Sequence, residues 1–127
     1  MRYIFITSGF EGLHCYPDAP EDVAYLRNNH RHIFGLKIKI EVKHNDRELE
    51  FIQLQHKVNT YIGAKLGDDH VWNMGRRSCE DVAQELLEFL RKEYGTGFVD
   101  DRYMSVEVNE DGFCGAVVDN SVGHVGK

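Results

Sequence analysis

The chain lacks the features that mark secreted proteins and thiolate metal clusters. It has three cysteines in 127 residues, an odd number at irregular spacing and without a C-x-x-C pair. Neither a disulfide framework nor a thiolate zinc site is therefore indicated. The first ten residues contain only a short apolar run, broken by Thr7, Ser8 and Gly9, which predicts a strand and not a signal peptide. We expect reduced thiols and a cytoplasmic location.

Positive charge is also in short supply. Fifteen lysines and arginines stand against 21 acidic residues, which gives a formal net charge of -6. A general nucleic-acid surface needs a cationic face, and the row formed by Lys37, Lys39 and Lys43 is balanced by acids elsewhere. We expect a small-molecule partner, with no nucleic acid and no membrane.

No linker, repeat or low-complexity segment divides the chain, so we predict one domain over residues 1–127. A chain of this length buries about two thirds of its unfolded surface. The segment 119–127 has too few apolar residues to fold by itself and is expected to be a flexible tail.

Hydrophobic periodicity predicts strands, then helices, then strands. Ser78 is a candidate N-cap with Asp81 in a capping box, and Glu110-Asp111-Gly112 is typical of a tight turn between strands. The turn-rich residues 44–47 predict a hairpin that leads into 49–52. The predicted elements are strands at 2–8 and 31–43, helices at 54–66 and 78–95, and strands at 102–109 and 113–118. This order, ββααββ, predicts an α+β fold in which two helices cover one face of a four-stranded antiparallel sheet.

His30 and His32 open the second strand in step with its apolar positions. Because strand side chains alternate between faces, an H-x-H pair projects both rings to the same side. For one histidine alone, a hydrogen-bonded or surface imidazole is the more common role. A third ring, His14, follows the first strand, and an antiparallel neighbour can bring it beside the pair. Three imidazoles with a fourth position open are typical of catalytic zinc.

Six short motifs occur in the order in which one enzyme family carries them. They are Phe10-x-x-x-His14, His30-x-His32, Glu50-Phe51-x-x-Leu54, Asp69-His70-x-x-Asn73, Ser78-x-Glu80-Asp81-x-Ala83 and Val106-x-Val108-x-Glu110. Together they resemble the 6-pyruvoyltetrahydropterin and 6-carboxytetrahydropterin synthase family over nearly the whole chain.

The resemblance implies a T-fold, and a zinc-dependent lyase that acts on the side chain of 7,8-dihydroneopterin triphosphate or a related pterin. Zinc is then expected on His14, His30 and His32. Asp69 and His70 are expected to transfer protons, and Glu110 to anchor the pterin ring. A homo-oligomer, trimer or hexamer, is also implied, because T-fold sheets close side by side into a barrel with sites between subunits.

Two of these roles have simpler alternatives. Asp69 and His70 also fit a solvated loop between helices, and Glu110 also fits an acid in the turn before Asp111.

The chain departs from the family at several positions. The cysteine that usually precedes the H-x-H motif as a base is missing from residues 24–29. Cys15 is not expected to replace it, because in an extended chain it points away from the face of His14. Glu21 or Asp22 is a weak candidate for a substitute base, since acids are common in a first helical turn anyway.

Two further departures concern the neighbours of the proposed ligands. Arg31 stands where the family usually has a glycine between the two histidines, and Asp111 stands where it usually has threonine or serine after the glutamate. Both changes alter the charge around the proposed site.

Three interpretations stay open at this point. The chain is a pterin lyase of altered chemistry, or a non-catalytic T-fold protein that binds a pterin or purine, or a protein whose histidines serve only its structure. The sequence does not select a pathway, whether tetrahydropterin cofactor synthesis or a deazapurine route such as that of queuosine.

Overall fold

A five-stranded mixed sheet forms one layer of the protein, and its two longer helices cover one face. The computed structural model describes residues 1–121. The strands and helices, in chain order, are β1 (Arg2–His14), a 3₁₀ segment (Glu21–Arg27), β2 (His30–Val42), α1 (Phe51–Gly63), β3 (Val71–Gly75), α2 (Cys79–Tyr94), α3 (Thr96–Asp100), β4 (Met104–Glu110) and β5 (Cys114–Asp119). The strands lie in the order β3-β1-β2-β4-β5. Within the described part of the chain, no helix is both long enough and apolar enough to span a membrane.

The longest pairing in the sheet joins β1 and β2 in antiparallel fashion over 13 residues each. Along both strands more buried residues alternate with more exposed ones, the pattern of a sheet with one covered face. Ile6 of β1 lies opposite Ile38 of β2, and both are buried on the helix-covered face. The same register places His14 opposite His30 at the far end of the strand pair.

The predicted sheet was wrong in one respect. The prediction of four antiparallel strands in the order ββααββ missed β3, which lies between the two long helices in the chain and pairs parallel to β1. Val71, Trp72 and Met74 of this strand are buried and Asn73 is exposed. A five-residue edge strand offers too little alternation to stand out from the polar turn before it.

Both long helices pack on the same face of the sheet. Helix α1 buries Leu54, Val58 and Ile62, while α2 buries a longer stripe that includes Leu86 and Leu90. All five belong to one hydrophobic core together with the inward-facing residues of the strands. The prediction of two helices on one face is confirmed.

The helix starts follow from their caps. At the start of α2, Ser78 accepts a hydrogen bond from the Asp81 N–H, and the Asp81 side chain accepts one from the Ser78 N–H. The predicted capping box is therefore present. Helix α1 begins at Phe51, three residues before its predicted start, because the Glu50 carboxylate accepts from the N–H groups of Ile52 and Gln53. The predicted hairpin into 49–52 was wrong for the same reason.

The predicted flexible tail at 119–127 begins too early. Asp119 pairs with Ser105 in the sheet, and the buried Asn120 side chain donates to the backbone carbonyls of Val99 and Arg102. This amide anchors the end of β5 against α3. Residues 122–127 of the predicted tail lie outside the described residues.

Candidate metal centre

Three imidazole rings meet where β1 ends and β2 begins. The antiparallel register places His14 opposite His30, and His32 lies two residues further along β2 on the same face. The ring centroids are 4.5 Å apart for His14 and His30, 5.7 Å for His14 and His32, and 5.1 Å for His30 and His32. The structure therefore brings together all three histidines that the sequence analysis singled out.

Each ring is oriented by a hydrogen bond at Nδ1. The Nδ1 atom of His14 lies 2.9 Å from the Arg77 carbonyl oxygen, and that of His30 lies 2.9 Å from the Asn28 carbonyl oxygen. The Nδ1 atom of His32 lies 2.7 Å from Oδ2 of Asp111. Since carbonyl and carboxylate oxygens only accept, each Nδ1 carries the proton and donates it, which leaves Nε2 with a lone pair in the neutral ring. Metal-binding histidines are usually held in this way.

The free nitrogens face one another. The three histidines offer ligand atoms that all lie within 4.8 Å of one another. The Nε2 atoms of His14 and His32 are buried and make no hydrogen bond, which is costly unless another partner is supplied. Three oriented rings, two of them with a buried and unpaired Nε2, fit a metal ion, and three imidazoles are among the ligand sets that hold zinc.

Glu110 adds a carboxylate to this group. Its Oε2 lies 3.4 Å from Nε2 of His14, and its Oε1 lies 3.3 Å from Nε2 of His32, and neither contact is a hydrogen bond. Glu110 is the last residue of β4 and pairs with Phe34, two residues beyond His32 on β2. A tetrahedral zinc ion separates its ligand atoms by roughly 3.3 to 3.4 Å when its bonds are about 2.0 to 2.1 Å long. The carboxylate therefore lies where it can contact a metal or a metal-bound group.

Asp111 supports His32 from outside the cluster. Its carboxylate accepts from His32 through Oδ2 and from the Ile33 N–H through Oδ1, at 2.7 and 2.9 Å. These two bonds, the one from His32 first, hold the pKa of Asp111 below its ordinary value. From the sequence, Asp111 was expected in the turn after Glu110 and as a departure from the family that alters the local charge, but not as the partner of His32.

The Phe34 ring packs against two of the three imidazoles. The Phe34 ring is fully buried and meets His14 edge-on at 5.1 Å and His32 edge-on at 5.8 Å between centroids. It also stacks on Phe10 at 5.2 Å, and Phe10 packs on Trp72. The rings of His14 and His32 thus pack against the hydrophobic core of the protein.

A cavity of about 600 Å³ opens beside the histidines. His14, His30 and Glu110 line one side, and Arg76, Arg77, Glu80 and all three cysteines are among the other lining residues. The volume is that of a small-molecule site. Cys15 follows the last residue of β1 and lines the same cavity as His14.

Cys79 is the deepest of the three thiols. It is buried at the first position of α2, with Sγ 3.9 Å from Oε2 of Glu110. Burial first, and the nearby Glu110 carboxylate second, raise the pKa of the Cys79 thiol to about 12. The thiol is therefore protonated at neutral pH and donates weakly to Glu110. No spacing in the sequence indicated this contact.

The same arrangement of strands and helices occurs in solved structures. The 6-pyruvoyltetrahydropterin synthase of Plasmodium falciparum superposes with a TM-score of 0.66 at 15% identity, over 94% of this chain and 97% of the other. The Plasmodium vivax enzyme gives 0.63 at 14% identity, over 94% and 99%, and its variant with a catalytic glutamate changed to alanine gives 0.67 at 15%, over 94% and 97%. The chain has the fold of the 6-pyruvoyltetrahydropterin synthases. No family model and no curated protein sequence matches it.

This synthase fold confirms the predicted T-fold of the single chain. Its assembly into a barrel concerns several copies and stays a prediction. At 15% identity the match concerns the fold, so substrate and chemistry do not follow from it.

Two residues expected at the site lie away from the histidines within one chain. Asp69 and His70 are exposed in the turn before β3, where Oδ1 of Asp69 accepts from the Val71 N–H and His70 has a φ of 61°. Gly75, at the other end of β3, pairs with His14. The five residue steps from His70 to Gly75 cover roughly 16 Å along the sheet. A role for this pair at the metal centre therefore requires a neighbouring copy of the chain.

The segment before β2 holds no cysteine, and its first acid is already paired. An oxygen of Glu21 lies 3.0 Å from the Arg27 guanidinium within the 3₁₀ segment, and the Glu21 side chain is 89% exposed. The Arg27 side chain also donates to the Ala19 carbonyl. Leu26 is the residue of this segment that lines the cavity. Neither Glu21 nor Asp22 lines it.

Proposed function

We propose that the protein is a zinc-dependent lyase of the 6-pyruvoyl- or 6-carboxytetrahydropterin synthase type, with altered chemistry, acting on the side chain of 7,8-dihydroneopterin triphosphate or a related pterin. One observation carries the proposal: His14, His30 and His32 each offer a ring nitrogen within 4.8 Å of the other two, while every Nδ1 lies against an oxygen that holds its proton. The synthase fold and the adjoining cavity support it.

Zinc on these three histidines would supply Lewis acidity, which lowers the pKa of a bound hydroxyl and stabilises negative charge on its oxygen. The three rings are already oriented for it. Two of the Nε2 atoms are buried and lack a hydrogen-bond partner, so binding an ion would satisfy them. The cavity beside them gives a pterin side chain a route to the centre.

Glu110 would anchor the pterin. Its carboxylate can accept two hydrogen bonds from the N–H groups at the guanidine-like edge of the ring, a bidentate match that orients the ring as well as binding it. Its place beside His14 and His32 also makes it a candidate metal ligand. We therefore test the anchor role by separating pterin binding from zinc binding.

Proton transfer is assigned to His70 with Asp69 beside it. A histidine is suited to exchanging protons near neutral pH, and Asp69 is the adjacent carboxylate that would pair with it. Because both residues lie at the far end of β3 within one chain, they would act in the site of an adjacent copy. The base that removes the carbon-bound proton would then come from another subunit.

A homo-oligomer, trimer or hexamer, fits the exposed surfaces. Phe5, Ile33 and Val117 lie on the sheet face away from the helices and are 59%, 57% and 60% exposed. The outer edges of β3 and β5 have no strand partner within the described residues. Closing the sheets into a barrel would satisfy both edges. Sedimentation equilibrium tests this, and a monomer at micromolar concentration would contradict it.

The first experiment measures bound zinc in protein purified without a histidine tag. We expect one zinc per chain in the wild type, and loss of zinc in His32→Ala. His56→Ala is the matched control, because His56 is exposed on α1, outside the group of three. A folded, metal-free wild type that does not take up added zinc would refute the proposal.

The second experiment measures turnover and binding separately. The zinc-loaded protein is incubated with 7,8-dihydroneopterin triphosphate or sepiapterin, and products are separated by chromatography. We expect His70→Ala to lower turnover and to keep its zinc. We expect Glu110→Gln to keep its zinc and to weaken pterin binding by roughly 10- to 150-fold, as for loss of a charge-assisted hydrogen bond worth about 1.5 to 3 kcal/mol. If Glu110→Gln loses its zinc, Glu110 is a zinc ligand and not a pterin anchor.

A second candidate function is favoured by one observation: neither Glu21 nor Asp22, the two acids of the segment before β2, lines the cavity. In the P. vivax enzyme a catalytic glutamate has been changed to alanine in one structure and to cysteine in another, so a carboxylate is the catalytic residue there. Here Glu21 is paired with Arg27. A non-catalytic protein that binds a pterin or purine would show tight binding without turnover in the second experiment.

A further inference from the structure

Two hydrogen bonds join Asp111 to the backbone of Ile33 in β2. Asp111 follows the last residue of β4 and has a φ of 57°, in the left-handed region where aspartate and asparagine are among the few tolerated side chains. Its N–H donates to the Ile33 carbonyl at 2.7 Å, and the Ile33 N–H donates to its Oδ1 at 2.9 Å. These two bonds fix where the Asp111 carboxylate lies.

The remaining oxygen of this carboxylate reaches His32. Oδ2 lies 2.7 Å from Nδ1 of His32, a short distance typical of a charge-assisted hydrogen bond. His14 and His30 are held by the backbone carbonyls of Arg77 and Asn28 instead. Among the three rings, His32 is therefore the one whose orienting partner is a side chain.

We propose that Asp111 is a positioning residue that holds His32 with its Nε2 lone pair directed at the metal centre. Accepting the Nδ1 proton excludes the other neutral tautomer, in which Nε2 carries the proton and cannot bind a metal. A carboxylate partner also makes the imidazole a stronger ligand. The inference rests on the metal centre of the proposed function and extends it to a residue outside the ligand set.

Asp111→Asn is the decisive variant. Asparagine tolerates the positive φ, and its one oxygen can still accept from the Ile33 N–H, so the turn is kept. Its NH₂ group would then face Nδ1 of His32 as a donor and favour the tautomer with the proton on Nε2. Loss of such an outer partner typically lowers metal affinity by 10- to 100-fold.

Zinc affinity is measured by competition with a chromophoric chelator. We expect Asp111→Asn to bind zinc about 10- to 100-fold more weakly than the wild type. Asp46→Asn is the control for loss of one negative charge, because Asp46 is 87% exposed and pairs with Arg47 in the loop before α1. Equal affinity of Asp111→Asn and the wild type would overturn the proposal.

A second measurement uses the metal-free wild type, so it requires neither bound zinc nor a folded variant. ¹⁵N NMR of the metal-free wild type reports which nitrogen of His32 carries the proton, and we expect Nδ1 with a slowly exchanging proton. A proton on Nε2 of His32 in the wild type would overturn the proposal. If the wild type binds no zinc but His32 is protonated at Nδ1, the proposed function fails while the Asp111 contact stands.

Discussion

Removing the Phe34 ring tests whether the metal centre depends on the core. The ring is fully buried, stacks on Phe10 and touches the edges of His14 and His32. A Phe→Ala change at such a position typically costs about 3 to 5 kcal/mol, from lost burial and from the cavity left behind. That is a large part of the roughly 5 to 15 kcal/mol that stabilises a domain of ordinary size.

The free energy of unfolding is measured by urea denaturation of the metal-free protein. We expect a loss of about 3 to 5 kcal/mol for Phe34→Ala, and a smaller loss for Phe34→Leu, which leaves less empty space. Phe113→Ala is the control, because that ring is 92% exposed and surface substitutions usually change stability by less than about 0.5 kcal/mol.

Loss of the Phe34 ring is also expected to lower the affinity for zinc. Phe34→Leu should weaken zinc binding, since His14 and His32 lose the ring that they rest against, while Phe113→Ala should not. If Phe34→Ala cost no more than Phe113→Ala, the core placement of this ring would be wrong. If Phe34→Leu lost stability but kept full zinc affinity, the rings would not depend on the core.

Three further predictions concern the thiol, the helix cap and the acid stability. Cys79 should resist alkylation at pH 8, because its pKa is raised to about 12, whereas the exposed Cys114 should react. Peptide mass spectrometry of the alkylated protein measures both, and equal labelling of the two cysteines would contradict the prediction. Ser78→Ala should cost about 0.5 to 2 kcal/mol in urea unfolding, because it removes one half of the capping box. A side-chain hydrogen bond from Arg102 lowers the pKa of Glu48 in the folded protein. The Glu48 carboxylate therefore stabilises the fold above its unfolded pKa of about 4.3, and this contribution is lost as the pH falls through the folded pKa. The stability difference between wild type and Glu48→Gln should therefore close in acid, and a constant difference from pH 6 to pH 3 would refute it.

The parts of the fold that the sequence predicted are those with local signals. The H-x-H motif fixed the face of both rings because side chains alternate along any strand. Ser78 and Asp81 marked the start of α2 through contacts within one turn. The turn after Glu110 could be predicted from Gly112, whose φ is 80°.

The missed features depend on partners distant in sequence. β3 is a strand because β1 lies beside it, about sixty residues earlier in the chain. The early start of α1 depends on the Glu50 side chain, which the apolar periodicity does not register. Cys15 lines the cavity from just beyond the end of β1, where the alternation of faces along the strand no longer applies.

In the candidate site too, features with local sequence signals were predicted and features that depend on distant residues were missed. The candidate ligands His14, His30 and His32 could be named from spacing and resemblance, but their orienting partners could not. Asp111 is 79 residues from His32 in the chain, and neither its place in the predicted turn nor its departure from the family indicated this contact. Two of the three orienting groups are backbone carbonyls, for which the identity of the residue gives no signal.

The orienting groups come from three separate segments, and this has a consequence for metal affinity. The Arg77 carbonyl lies between β3 and α2, the Asn28 carbonyl precedes β2, and Asp111 belongs to the turn after β4. Each ring is therefore aligned only when its own segment is in place. Because all three lone pairs must face the same point, displacing any one segment removes a ligand from the set. Metal affinity should thus respond to substitutions in these connecting segments even where they touch no histidine, whereas a site held within one helix would not show this dependence.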